Sequence, residues 1–378
     1  MPPARSGVAD YSATLVPALA RVCDLELGAR TADVFLYHLG NNLLHREIYE
    51  RALEQPGVIV LHDAVLHHFL LGTLDERSYV REFCHNYGAW SEDLARDLWR
   101  GRGRSSTDPR YFRYPMLRRV AERSQGVVVH NPRAAAMVRA HAPAGAIFEI
   151  PHLFEAPAAI APEFEVIRLR AELGIAPHVF LFAVFGYLRE SKRVACVLRA
   201  FSRARDAADM ALLIAGEFVS SDLERSLRGT LADDPGILRV GHTSEYDFWR
   251  YAAACDACIN LRHPAAGETS GIAIRLMGIS KPVILSNGEE IARFPDTACL
   301  RVDPGPAEEE MLADSMIWLT RSPRDAEAVG RRGAAHIREF HAPARVASLY
   351  KDALARCYHK GLKPEPLSPV RTGDATRG

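Results

Sequence analysis

Short β-rich runs alternate with longer helical patterns along most of this 378-residue chain, and that alternation limits its possible folds more than any other feature. It is the signature of parallel sheets covered on both faces by helices. The runs fall into two sets. The first holds residues 34–37, 58–61, 127–129 and 147–150, and the second holds 179–185, 211–215, 238–240, 257–261 and 283–285. Between the sets, residues 151–177 are rich in Pro and Ala and read as a linker entering a short helix at 166–173. The expected class is α/β, with two Rossmann-like, doubly wound parallel-sheet domains facing a cleft. The first domain is placed at residues 1–155 and the second at 165–340, followed by a C-terminal helix at 341–360 and a disordered tail at 361–378. An apolar content of 48% over this length is enough for two separate cores.

In open α/β sheets ligands bind beyond the carboxyl ends of the strands, and here those ends are polar. Tyr37 leads to His38 and Gly40-Asn41-Asn42, Leu61 to His62-Asp63, Val129 to His130-Asn131, and Ile150 to Pro151-His152. In the second set Phe185 leads to Gly186, Ala215 to Gly216-Glu217, and Leu261 to Arg262. The stretch Gly267-Glu268-Thr269-Ser270-Gly271 lies between the run 257–261 and an apolar helical segment at 272–279. Two glycines and two hydroxyl residues at a helix mouth let backbone approach a ligand and present unpaired N–H groups to an anion. Glu268 would repel a bare diphosphate but can accept hydrogen bonds from sugar hydroxyls, so the pair of features points to a phosphorylated sugar.

A second anion site is expected at Gly186-Tyr187-Leu188-Arg189-Glu190-Ser191-Lys192-Arg193, read as the opening of a helix. Cations in a first helical turn oppose the macrodipole, so Arg189, Lys192 and Arg193 make better sense there with an anion bound. Lysine is scarce, with only Lys192, Lys281, Lys351, Lys360 and Lys363, and two of the five fall in motif-like positions. Ser6-Gly7 resembles the glycine loop of a first β-α turn, although the residues before it leave no room for a preceding strand. The sheet of the first domain is therefore expected to lack its first strand. Cys255 and Cys258 have CxxC spacing without a second pair, and they read as small core residues.

Taken together these segments resemble the retaining family 4 glycosyltransferases, which have the GT-B architecture. The resemblance rests on residues 3–11, Tyr37-His38-Leu39-Gly40-Asn41-Asn42 with His45, residues 56–63, the turn from Gly186 to Lys192, Ala215-Gly216-Glu217, Asn260-Leu261-Arg262, and Gly267 to Gly271. It implies transfer of a sugar, with retention of configuration, from a nucleoside-diphosphate sugar to a carbohydrate or small-molecule acceptor, with no metal or other cofactor. By that resemblance Lys192 binds the donor diphosphate, Glu268 contacts the donor sugar as the first glutamate of an E-x7-E motif, and His62 faces that sugar. The implied donor site comprises Gly186, Arg189, Lys192, Gly216, Arg262, Gly267, Glu268, Thr269, Ser270 and Gly271. Ser6, Gly7, His38 and Asn41 fall on the acceptor side. Two positions depart from the family pattern. The second glutamate is replaced by Leu276, as in a branch of the family, and the usual arginine after the first glycine is Tyr187. Arg262, Arg275, Glu289 or Glu290 are candidates to replace the missing ribose contact.

With 47 basic and 47 acidic residues no whole-molecule field favours nucleic acid or an anionic membrane. No run has the length of a membrane span and the start lacks a leader pattern, so a cytoplasmic, reduced protein is the expectation. Two other readings stay open. One is a binding or scaffold protein that kept the fold and weakened its chemistry. The other is a metal-dependent hydrolase using His62, Asp63, His67 and His68.

Overall fold

A computed structural model of the chain describes residues 7–157 and 159–361. The first sheet has strands β1 (Leu36–Leu39), β2 (Val58–Leu61), β3 (Gly126–Val129) and β4 (Ile147–Glu149), all parallel in the order β1-β2-β3-β4. The second has β5 (Phe180–Phe185), β6 (Met210–Ala215), β7 (Ile237–Val240), β8 (Ala257–Asn260), β9 (Val283–Ser286) and β10 (Leu300–Val302). Its order is β10-β9-β8-β5-β6-β7, again all parallel. The central strands β2, β3 and β6 are buried along their whole length, which explains why they read as continuous apolar runs. β10 has no counterpart among the expected runs, because Leu-Arg-Val is too short and too polar to register as one. Among the described residues no helix is long and apolar enough to cross a membrane.

Each sheet buries both faces. One face of the first packs Ile59, Leu61 and Val129 against Phe69, Tyr79 and Phe83. The other packs Val58, Val60 and Val128 against Tyr11 and Leu15 of the Gly7–Leu19 helix and against Val346, Tyr350 and Cys357 of the C-terminal helix Pro343–Gly361. The chain therefore returns from the second sheet to complete the core of the first. The phenols of Tyr11 and Tyr350 meet at 2.8 Å. In the second sheet Val184, Leu212 and Ile214 face Val197, Phe201 and Met316, while Leu181, Ala183 and Leu213 face Ala252, Ile274 and Met277.

From the central strand β5 the chain winds outward through β6 and β7, then crosses to β8 on the other flank. That reversal opens a crevice beyond the carboxyl ends of β5 and β8, where α/β sheets place their ligands. The segments after β2 and β3 touch the loop after β8: Ala64 N donates to Ala266 O at 2.8 Å, and Asn131 Nδ2 donates to Gly267 O at 2.9 Å. The strand ends of the two sheets thus meet across one interdomain cleft.

Candidate active site in the interdomain cleft

At the end of β5, Gly186 adopts φ +86° and Gly216, at the end of β6, lies against it. A Cβ on Gly216 would stand 2.1 Å from Gly186 O, and a Cβ on Gly186 would stand 3.2 Å from Lys192 Nζ. Glycine at both positions keeps backbone close to backbone and leaves room beside the lysine amine. Lys192 is only 7% exposed and its Nζ donates to Phe185 O. No carboxylate forms an ion pair with it among the described residues. Burial, with Arg262 and Arg189 nearby, pulls its amine down to about 7.

The basic turn is built differently from the expected first helical turn. Glu190–Lys192 form a 3-10 turn, Arg193 takes the left-handed conformation at φ 57°, and the α-helix starts only at Val194. Arg193 leaves the site altogether, since its Nε donates to Glu308 Oε2 at 2.9 Å. Arg189 stays exposed at the crevice mouth.

The loop after β8 carries the remaining donor-side residues. Arg262 Nη1 donates to Glu268 Oε1 at 2.9 Å, and Ala266 N donates to Glu268 Oε2 at 2.6 Å. Ser270 caps the helix Gly271–Gly278 through its side chain. Gly267 has φ +71°, and a Cβ there would lie 2.8 Å from Ala64 Cβ, so glycine is needed where the two domains touch. Asn131, 2% exposed, caps the helix Pro132–His141 by accepting from Ala134 N at 2.8 Å. Its Nδ2 reaches Gly267 O and, at 3.0 Å, Thr269 Oγ1.

The first sheet supplies four imidazoles from its four strands: His38, His62, His130 and His152. His38 Nδ1 and His62 Nε2 are hydrogen-bonded at 3.0 Å. His130 and His152 donate from Nδ1 to Ile150 O and Leu153 O, each at 2.9 Å. The ring of Tyr11 lies 4.7 Å from that of His62 and 4.8 Å from that of His152. Burial, then the neighbouring imidazoles, hold His62 well below the usual histidine range. The same causes bring His38 and His152 to about 3, so the cluster is neutral at physiological pH. His152 Nε2 comes within 3.5 Å of where a Cβ on Gly271 would be, which brings the cluster to the mouth of the Gly271–Gly278 helix. Asp63 accepts from Asn41 N at 2.8 Å; burial, then Glu268 nearby, raises its carboxyl.

Asn41 Oδ1 accepts from Phe69 N at 2.7 Å and its Nδ2 contacts His68 Nδ1 at 3.3 Å, so its amide anchors the helix His67–Thr73. Gly7 begins the first helix, and Ser6 lies outside the described residues. The residues of the metal-hydrolase reading do not converge: His67 Nε2 bonds Tyr79 Oη at 2.7 Å, and His68 Nε2 donates to Ser105 O at 3.0 Å. Among the described residues no group of His, Cys, Asp and Glu is arranged to hold a metal ion.

Leu276 is fully buried in the second core. Arg275, one residue earlier on the helix, packs over Phe248 and Trp249, 3.9 Å and 4.4 Å from their ring centroids, and pairs with Glu245. Glu289 lies 3.5 Å from Arg133. Glu290 lines a cavity of about 380 Å³ between the domains, together with Arg262, Glu268 and Ser270. Sequence reasoning singled out neither Asn131 as an interdomain clamp nor Arg113 and Arg133 as cavity residues. The local signal for the cap is Asn131-Pro132 before an apolar helix, and no local pattern points to the partner across the cleft.

No family model matches the sequence, and no curated protein matches it. Among solved structures the chain is similar to sucrose-phosphate synthase from Thermosynechococcus elongatus at 16% identity, with 86% of this chain and 74% of that one covered and a TM-score of 0.61. It is also similar to HepE of Anabaena, solved in complex with UDP-glucose, at 14% identity, 83% and 82% coverage and a TM-score of 0.60. The likeness is one of fold: two Rossmann-like parallel-sheet domains in the GT-B arrangement.

Proposed function

We propose that this chain is a glycosyltransferase that moves a sugar, with retention of configuration, from a nucleoside-diphosphate sugar to an acceptor hydroxyl. The observation that carries the proposal is Lys192, a buried amine with no carboxylate ion pair among the described residues, given room by Gly186 at the crevice where the sheet reverses. A buried cation is costly unless an anion completes it, and a diphosphate at that crevice does so. The Gly271–Gly278 helix adds its N-terminal N–H groups from the other side. Uridine is the favoured base, because the similar HepE was solved with UDP-glucose.

In this reading Lys192 and Arg189 hold the diphosphate, and the loop from Gly267 to Gly271 with Glu268 cradles the sugar. His62, neutral, faces the sugar from the other domain. The bond from the anomeric carbon to the diphosphate oxygen breaks and its electron pair leaves with the nucleoside diphosphate. The acceptor oxygen bonds that carbon, and its proton passes to the departing phosphate. Fixed cations aimed at the developing negative charge stabilise the transition state. Removing one well-placed polar or charged partner typically costs about 100- to 1,000-fold in rate, and that loss is expected for Lys192→Ala at the diphosphate and for Glu268→Ala at the sugar, each with a folded, cooperative melt. Steady-state assays with UDP-glucose and a panel of other donors provide the check, and wild-type turnover in both variants would refute the site.

The burial of Leu276 favours one second reading, a GT-B binding protein with weakened chemistry, since the family's second glutamate has no counterpart on that face of the helix. UDP binding without turnover of any donor would support it.

A further inference from the structure

The cavity of about 380 Å³ lies on the far side of β8 from Lys192. Its floor comes from the ends of β8 and β9, through Asn260 and Ser286, whereas the crevice opens between β8 and β5. Neither Gly186, Lys192 nor Gly216 borders it. The opposite wall belongs to the first domain and includes Phe112, Arg113 and Arg133. Glu268 lines the cavity and is also close enough to Lys192 and Asp63 to shift their ionisation. It therefore stands between two compartments.

The lining chemistry is unevenly satisfied. Arg262 is neutralised by Glu268 at 2.9 Å, but Arg113 forms no hydrogen bond or ion pair among the described residues. Among the described residues Arg133 has only an exposed contact with Glu289 at 3.5 Å. Asn260 is 5% exposed, and its buried Oδ1 has no hydrogen-bond partner among the described residues. Thr269, Ser270 and Ser286 add hydroxyls. Burial, then the charge of Glu268, raises the carboxyl of Glu290. A guest that satisfies this wall must offer hydroxyls to the amide and hydroxyl groups and an anion to the two guanidiniums.

We propose that this cavity takes the acceptor, and that the acceptor is a sugar or related polyol carrying a phosphate or carboxylate read by Arg113 and Arg133. The inference rests on the glycosyltransferase reading for the word acceptor, while the binding site itself does not. The two guests then lie on either side of Glu268, with the acceptor approaching from the first domain.

The test is calorimetric titration of the UDP-saturated protein with glucose 6-phosphate, glucuronate and glucose. At least one of the two anions is expected to bind tenfold or more tighter than glucose, and comparing them separates phosphate from carboxylate recognition. The double variant Arg113→Ala/Arg133→Ala should lose that preference and keep its UDP affinity. Displacement of the anion by UDP, an anion no better than glucose, or an unchanged preference in the double variant each overturns the proposal. If wild-type protein fails to bind UDP, the donor reading falls, and the same titrations without UDP still decide whether the cavity selects anions.

Discussion

At Lys192 burial and the guanidiniums of Arg262 and Arg189 bring the amine to about 7, so at neutral pH the free protein holds it only partly charged. A diphosphate stabilises the ammonium form, and binding above pH 7 must take up a proton. UDP affinity is expected to weaken as pH rises from about 7.5 to 9.5, by at most about tenfold per pH unit for one proton. Folding carries the opposite signature. The folded amine titrates near 7 and the unfolded one near 10.5, so the unfolded chain binds more protons between those values and this residue's contribution to stability rises with pH across them. At pH 7 and below the cost of burying the charge is fully present. Lys192→Met should accordingly abolish UDP binding and raise Tm at pH 6–7, with the difference vanishing above about pH 10.5. A pH-independent UDP Kd, or a lower Tm in Lys192→Met at pH 6–7, would count against the assignment. Lys192 and Glu268 stand out in the sequence because both lie in short motifs. The diversion of Arg193 does not, because its partner Glu308 lies 115 residues away along the chain.

Among the elements, the strands were readable within a residue or two where both faces are buried, as in β2, β3 and β6. β10 escaped because Leu300-Arg301-Val302 has an arginine at its centre and so offers no apolar run to read. Capping residues were equally local, but one does a second task. Asn131 closes the N-terminus of one helix and holds the loop before another by donating to Gly267 O and Thr269 Oγ1. Asn131→Asp separates these roles. Aspartate caps as well as asparagine, but it sets a carboxylate against the Gly267 carbonyl and leaves that acceptor unpaired, at a cost of about 1–3 kcal/mol. Hydrogen exchange should speed up about tenfold or more at the amides of 267–271, while the amides of the Pro132–His141 helix keep their protection. Faster exchange in both segments would mean that the helix cap had failed, and slow exchange in both would show that the clamp is dispensable.

For the whole molecule, sequence order misrepresents where the cores end. The alternation of strands and helices correctly gave two parallel sheets, but periodicity cannot report which sheet a distant helix covers. The helix Pro343–Gly361 follows the second sheet in sequence and packs on the first, where Val346, Tyr350 and Cys357 are fully buried beside Val58, Val60 and Tyr11. Burying a large apolar side chain contributes about 1.5–3 kcal/mol, so losing several of them at once removes a large part of a typical stability margin of about 5–15 kcal/mol. A chain ending at residue 342 should therefore retain a folded second sheet and lose the first, giving a melting transition of reduced amplitude and rapid proteolysis confined to residues before about 155. Supplying a peptide of residues 343–361 should restore protection. Tyr350→Phe, which deletes only the hydroxyl contact with Tyr11, should cost no more than about 1–2 kcal/mol, because apolar packing carries most of the helix's attachment. If the shortened chain melts like the full one, the returning helix is an appendage, and the first sheet is stable on the packing of Tyr11 and Leu15 alone.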